Sequence, residues 1–397
     1  MIHLWARLDR TWDAEPIIAR VTRNRQLPVP LRPQHALLVE GPVAPEPSFA
    51  ICLRKSNEGN SAPSGGYEIP LPDRLNHLTE GDIIRVVPSH GEIVTLYRRS
   101  SGSNSIFLTE RCNSNCVMCS QPPKNVNDSH LVDAYLQAIP LMSRDTSELG
   151  ITGGEPTLLG DRLLDIIRKC GQYLPDTALH LLSNGRFFNY LSFARALAGA
   201  STNDLIVGIP LYSDLATEHD FVVQSHGAFD QTIRGIMNLR RCGVRVELRV
   251  VIHRQTYSRL PELAEFITRN IPYADHVALM GLEQMGYFKM NAESLWIDPA
   301  DYRVQLEHAA MTLLRNKMHV SLYNHQLCTI PVSLWPIARK SISDWKNDYL
   351  ECCNSCTVRS ECGGFFSWNL AHSSRDIRPL QAEQIGIAGG LVETRSN

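Results

Sequence analysis

The sequence predicts an α/β protein: a partial (β/α)6 barrel, preceded by a small β-rich N-terminal domain and followed by a cysteine-rich C-terminal domain. Three observations carry this. Six short apolar, β-branched runs alternate with amphipathic helical patterns between residues 105 and 282, the signature of a parallel sheet covered by helices. Turn-rich sequence with β-branched runs fills residues 1–100. Eight of the eleven cysteines fall at motif-like positions, in groups at 112–119 and 328–362.

Taken in order, residues 1–100 form the β-rich domain. It holds a Pro/Ser/Gly stretch at Pro42–Gly66 and two strand patterns, Leu78–Pro88 and Gly91–Arg98, joined by a tight turn. That hairpin offers a strand edge on which a peptide could pair. The barrel takes residues 101–298. Its strands are expected at Ser105–Thr109, Glu148–Thr152, Ala178–Ser183, Asp204–Leu211, Val246–His253 and His276–Leu282. Its helices are expected at Leu131–Met142, Leu158–Tyr173, Phe188–Ala198, Phe229–Cys242 and Leu260–Asn270. A further helix, Pro299–Met318, opens a C-terminal extension over residues 299–374. Residues 375–397 read as a poorly ordered tail.

A formal charge of −2 over 397 residues gives no basic field for nucleic acid. No apolar run is long enough for a membrane helix, and the N-terminus has no signal-peptide core. The cysteine usage fits a reducing, cytoplasmic setting. Cys52, Cys170 and Cys242 stand alone and read as buried thiols.

The chemistry centres on Thr109-Glu-Arg-Cys-Asn-Ser-Asn-Cys-Val-Met-Cys-Ser120. Cys112, Cys116 and Cys119 make CxxxCxxC directly after the first barrel strand, at the mouth where barrel enzymes keep their sites. Three soft thiolates on one loop suit an iron–sulfur cluster and leave the fourth iron of a cubane open. Structural zinc is the alternative, but it wants four ligands, usually in paired arms. The second signal is Glu148-Leu-Gly-Ile-Thr-Gly-Gly-Glu-Pro-Thr157, a buried strand ending in two glycines that let backbone approach a ligand. The third is Cys328 with Cys353, Cys356 and Cys362, a CxxCxxxxxC run plus one distant thiol. Four thiolates saturate a cluster or a zinc ion equally well. Cys352 duplicates Cys353, and only Cys353 gives CxxC with Cys356.

CxxxCxxC followed by Gly-Gly-Glu-Pro resembles the radical S-adenosylmethionine (SAM) superfamily. The C-terminal CxxCxxxxxCGG run resembles its SPASM/twitch extensions. It lacks a further cysteine after Cys362, which favours one auxiliary cluster over two. Within the superfamily the chain is most similar to His-Xaa-Ser system radical SAM maturases of the HxsC type. This rests on Thr109–Pro123, Gly150–Leu158 and Leu334–Trp345.

The resemblance implies a 4Fe–4S cluster on Cys112, Cys116 and Cys119, with SAM on its open iron. It further implies reductive cleavage of SAM to a 5′-deoxyadenosyl radical, and an auxiliary 4Fe–4S cluster on the C-terminal cysteines. Gly153, Gly154 and Glu155 are implied to orient the SAM amine. Ser183 and Asn184 close the third strand and are candidates for ribose or methionine contacts. Arg249 and His253, an even number apart on the fifth strand, are candidates for the SAM carboxylate or a peptide. Met118 stands where the superfamily usually has an aromatic residue near the adenine. The implied substrate is a small precursor peptide with His-Xaa-Ser units. The implied partners are a second radical SAM maturase and a flavodoxin- or ferredoxin-type electron donor. A sulfatase-type maturase or glycyl-radical activase, and a non-catalytic metal-binding scaffold, are the competing expectations.

Overall fold

Apolar side chains on alternate positions of seven parallel strands decide the architecture. The computed structural model describes residues 3–40, 46, 48–55, 68–340, 347–370 and 372–381. The N-terminal sheet comprises β1 (Trp5–Arg7), β2 (Ile17–Thr22), β3 (His35–Glu40), β4 (Ile51–Lys55), β5 (Glu68–Leu71), β6 (Ile83–Val87) and β7 (Glu92–Tyr97). Their order is β1-β7-β6-β2-β3-β4-β5. The expected hairpin is β6–β7, but its edges are taken: β7 pairs with β1 and β6 pairs with β2. It is therefore not an open edge for a peptide. The sheet's own edges are β1 and β5.

The second sheet is β8 (Asn104–Phe107), β9 (Glu148–Thr152), β10 (Ala178–Leu182), β11 (Leu205–Pro210), β12 (Arg245–Ile252), β13 (His276–Gly281) and β14 (Val320–Tyr323). They lie in sequence order, all parallel, and β8 and β14 remain the edges of a partial barrel. Helices α1 (Ser129–Ala138), α2 (Asp161–Tyr173), α3 (Leu191–Ala200), α4 (Ala216–Val223), α5 (Ala228–Arg241), α6 (Leu260–Asn270), α7 (Phe288–Leu295) and α8 (Arg303–Arg315) follow the strands. The seventh strand, β14, comes from the segment assigned by sequence to the C-terminal extension. It follows the expected helix Pro299–Met318, which by sequence leads out of the barrel. Helices α4 and α7, eight residues each, escaped because so short a pattern holds little more than two helical turns. Expected helix Leu131–Met142 stops at Ala138, because Pro140 converts its last turn to a 3-10 turn.

The strands are not apolar on both faces, as their sequences suggested. Leu149, Ile151, Leu179, Leu181, Val246, Leu248, Val250, Val277 and Leu279 join the core under the helices. Their neighbours Glu148, Thr152, His180, Glu247, Arg249 and His276 line a cavity of about 880 Å³ inside the barrel. Val94–Arg98 of β7 and its extension wall that cavity too. The N-terminal sheet docks there through Ile83, Leu96 and Tyr97, which join the barrel core, and through Tyr97 Oη to Thr146 Oγ1 at 2.8 Å.

Helix α5 lies so close to the turn after β10 that a Cβ on Gly235 would collide with the Gly185 carbonyl. Gly235→Ala should therefore cost about 1–3 kcal/mol by overpacking. Gly199 in α3 has open space, so Gly199→Ala should gain about 0.5–1 kcal/mol. Urea melts of the two variants check both signs.

Candidate active site

The cysteine loop between β8 and α1 is built by backbone hydrogen bonds to three neighbours. Gly154 N–H donates to Thr109 O at 2.7 Å and Glu155 N–H to Arg111 O at 2.8 Å. This approach needs the two glycines. A Cβ at Gly153 would stand 2.7 Å from Thr109 O, and one at Gly154 would collide with Arg111 O. From α4, Val222 and Val223 accept from Val117 N–H and Asn115 N–H at 2.9 and 3.1 Å. On the far side Tyr287 N–H donates to Cys119 O at 2.9 Å, and Asn291 Nδ2 to Val117 O at 2.8 Å.

The carboxylate of Glu155 organises the centre. It is fully buried, and Oε1 accepts from Thr157 N–H (3.0 Å), Thr157 Oγ1 (2.6 Å) and Ser183 Oγ (2.8 Å). Oε2 accepts from Asn184 N–H at 2.7 Å. Burial raises its pKa against the pull of these donors. Asn184 in turn sets its side chain on Asn113 Oδ1 at 2.6 Å and 4.0 Å from Cys112 Sγ. Glu155, Ser183, Asn184 and Cys112 are thus brought together.

Burial pushes Cys112 up to about 11 and Cys116 up to about 12; the charges of Glu155 and Cys119 add to the first, and those of Cys119 and Cys112 to the second. Burial raises Cys119 as well. Metal-free, these are neutral thiols; a bound cation would reverse that balance. Ser114 N–H already points at Cys112 Sγ, at 3.4 Å. Among the described residues no group of three or more His, Cys, Asp or Glu closes on one metal ion. A cubane spreads its thiolates over separate irons, so three thiols on one loop fit it.

Met118 is buried in a cluster with Tyr212, Val222, Val223 and Phe288, so its side chain fills core space. Sequence reasoning missed Tyr212. It is buried in the cluster with Met118 against which Cys116 and Val117 pack, which puts it beside the cysteine loop, and burial first, then the thiols, raise its pKa. Its place just past the end of β11 was the available signal. It also missed Arg186, which braces the loop from Asn113 O (2.5 Å) and Ser114 Oγ (2.9 Å). His253 follows the end of β12, fully buried beside the Tyr212 ring, and among the described residues neither ring nitrogen is hydrogen-bonded. Arg249 lines the barrel cavity instead and binds Glu247.

Residues 106–267 match the family model described as the Radical SAM superfamily. That span is a radical SAM domain. GTP 3′,8-cyclase of Petrotoga mobilis is 26% identical over 219 residues, 53% of this chain and 65% of that protein. The chain therefore spans just under two-thirds of this curated relative's length. Among solved structures, Streptococcus suis SuiB bound to S-adenosylmethionine has a TM-score of 0.45 at 16% identity, over 56% of this chain and 50% of that one. Native anSMEcpe with bound AdoMet has a TM-score of 0.44 at 15% identity, over 55% and 62%. A radical SAM domain implies a 4Fe–4S cluster and SAM.

The C-terminal cysteines converge as well. Cys328, Cys353, Cys356 and Cys362 line one pocket, whereas Cys352 is exposed and lies outside it. Leu380 N–H donates to Cys356 Sγ at 3.4 Å, and Arg378 lines the same pocket as Cys328. The tail is held here. Arg375 pairs with Asp298 and Asp301, Arg303 pairs with Asp376 at 2.5 Å, and Thr357 N–H donates to Leu380 O at 3.0 Å. Poor order expected from Arg375 onward therefore does not describe residues 375–381. Residues 382–397, and 341–345 of the Leu334–Trp345 motif, lie outside the described residues. The C-terminal segment also reaches the barrel mouth, through Gln284 N–H to Asn369 Oδ1 (2.9 Å) and Gln284 Nε2 to His372 O (2.7 Å).

Glu155→Gln sets an amide donor among N–H and O–H donors. It should cost about 1–3 kcal/mol in a urea melt, the penalty of a buried unsatisfied group. If the second cysteine set binds metal, Cys352→Ala should keep it in full and Cys353→Ala should lose it, by elemental analysis of the purified proteins.

Proposed function

We propose that this chain is a radical SAM enzyme that modifies a small, ribosomally made peptide. The observation that carries the reading is the cavity of about 880 Å³. It runs from the N-terminal sheet at Val94–Arg98, through the barrel interior, to Gln121, two residues past Cys119. Both edge strands border it, β8 through Asn104, Ser105 and Phe107 and β14 through Tyr323, and an elongated cavity suits an extended chain. Cys112, Cys116 and Cys119 hold the cluster, and Gly153, Gly154 and Glu155 receive the SAM amine. Among the described residues Oε2 accepts from Asn184 N–H alone, which leaves it acceptor capacity for the amine. Ser183 and Asn184 border the same place, and among the described residues His253 has both ring nitrogens unspent beside Tyr212. When bound, the cluster and SAM supply a 5′-deoxyadenosyl radical able to take hydrogen from unreactive carbon. The chain itself orients these groups and, through the apolar cluster around Met118 and Tyr212, keeps water from them.

Cys328, Cys353, Cys356 and Cys362 hold one auxiliary 4Fe–4S cluster in this reading. The motif resemblance supports a His-Xaa-Ser-type precursor, a second radical SAM maturase as partner, and a flavodoxin- or ferredoxin-type donor. The GTP 3′,8-cyclase relative favours a second reading, a nucleotide-sized substrate, which a cavity of this volume would also accept.

Anaerobically reconstituted protein should carry about eight irons per chain and cleave SAM with dithionite. Changing Cys112, Cys116 and Cys119 together to Ala should remove about half the iron and all cleavage. Cys356→Ala should keep some SAM cleavage and lose peptide modification. Zinc at the C-terminal set would defeat the auxiliary cluster, and faster SAM consumption with GTP than with peptide would select the second reading.

A further inference from the structure

The barrel cavity carries polar side chains that the site above leaves unused. Glu148 from β9, His180 from β10, Glu247 and Arg249 from β12, His276 from β13 and Tyr323 from β14 all line it. Closed barrels fill this space with branched apolar residues. Stability does not explain the exchange, because apolar replacement of a buried ion pair is often neutral or stabilising.

Glu247 is the hub of the set. It is 6% exposed; Oε1 accepts from Arg249 Nη1 at 2.6 Å and Oε2 pairs with His276 Nδ1 at 2.7 Å. His276 Nε2 meets Ser321 Oγ at 3.0 Å. His180 stands 3.4 Å from Glu247 Oε1 and 3.7 Å from Glu148. One buried carboxylate is thus shared by a guanidinium and two imidazoles, and it does not spend Arg249.

Arg249 uses Nη1 alone. Among the described residues Nε and Nη2 have no partner, and with 17% of its side chain exposed the residue borders the cavity. The unspent Nε–Nη2 edge is the one that grips a carboxylate side-on. Arg259 uses that edge in this same chain, on Asp214, with Nε–Oδ1 at 3.0 Å and Nη2–Oδ2 at 2.6 Å. Space for the arginine is reserved by Gly208 across the sheet. A Cβ there would stand 3.1 Å from Arg249 Cδ and 2.9 Å from His180 Nε2.

We propose that the Nε–Nη2 edge of Arg249 is a carboxylate fork that holds an acidic group of the substrate inside the barrel. The proposal rests on the reading of this cavity as the substrate site. The methionyl carboxylate of SAM has the same chemistry. The cavity favours the substrate, because Arg249 lines it and Cys112, Cys116 and Cys119 are not among its lining residues.

The test uses the reconstituted full chain with glutarate as probe and glutaramide as its neutral control, followed by ligand-observed NMR. SAM binding is measured in parallel by equilibrium dialysis. Wild-type protein should prefer glutarate to glutaramide. Arg249→Gln should weaken glutarate about tenfold or more, the loss of a charge-assisted pair, with SAM affinity held within twofold. Arg249→Lys keeps the charge beside Glu247 but not the fork, and should show a smaller loss. It also decides the matter if the Gln variant does not fold. Equal binding of glutarate and glutaramide by wild-type protein overturns the proposal, as does unchanged glutarate binding in both variants. Loss of SAM binding with glutarate unaffected also overturns it, by assigning the fork to the cofactor. Wild-type protein that binds glutarate but never cleaves SAM would defeat the proposed function and leave the fork standing.

Discussion

The buried carboxylate of Glu155 is the point on which the site depends. Its four hydrogen bonds tie the end of β9 to the end of β10. This holds the Gly153-Gly154 turn against the backbone of Thr109 and Arg111, and the cysteine loop takes its shape from that contact. The same carboxylate fixes Asn184, whose side chain stands over Asn113 and Cys112. A buried acceptor with fully committed donors is costly to disturb, so it transmits position rather than tolerating drift.

A second constraint comes from the inner face of the sheet. Helices cover the outer face and bury its apolar residues, so the outer half of each strand obeys ordinary core packing. The inner half is released from that duty because the barrel is open between β8 and β14. Polar and ionisable residues there pair with one another across strands, as Glu247 does with Arg249 and His276. The N-terminal sheet walls this space with β7, so the β-rich domain takes part in shaping the cavity.

The C-terminal segment joins two places that chain order keeps apart. Residues 374–381 cross the second cysteine pocket, bring the Leu380 N–H to Cys356, and are pinned to Asp298 and Asp301 near the start of α8. Asn369 and His372 bind Gln284, in the loop whose Tyr287 also holds Cys119. One short loop therefore contacts both the cysteine-loop side of the barrel and the C-terminal segment.

The α/β architecture was legible because strand and helix periods differ, and the six long strand patterns all appear as strands. α4 and α7 were not, because eight residues hold little more than two helical turns of period, and β14 was not, because it lies beyond the helix that by sequence leaves the barrel. Cys112, Cys116 and Cys119 were legible because ligands on one loop must be close in sequence to be close in space. Cys353 could be preferred to Cys352 from spacing, but only folding turned the one into a shared pocket and the other to solvent. The charged inward face was written plainly in Arg-Val-Glu-Leu-Arg of β12, yet strand sequence alone does not say whether an alternate face meets helices, water or a cavity. By itself the sequence determined the local chemistry: three thiols, two glycines and a glutamate at fixed separations. Tertiary structure decided which distant groups share one space: Glu155 with Asn184, Arg249 with His180, Cys328 with Cys362. Those pairings come from strand register and long-range packing, which no local spacing encodes.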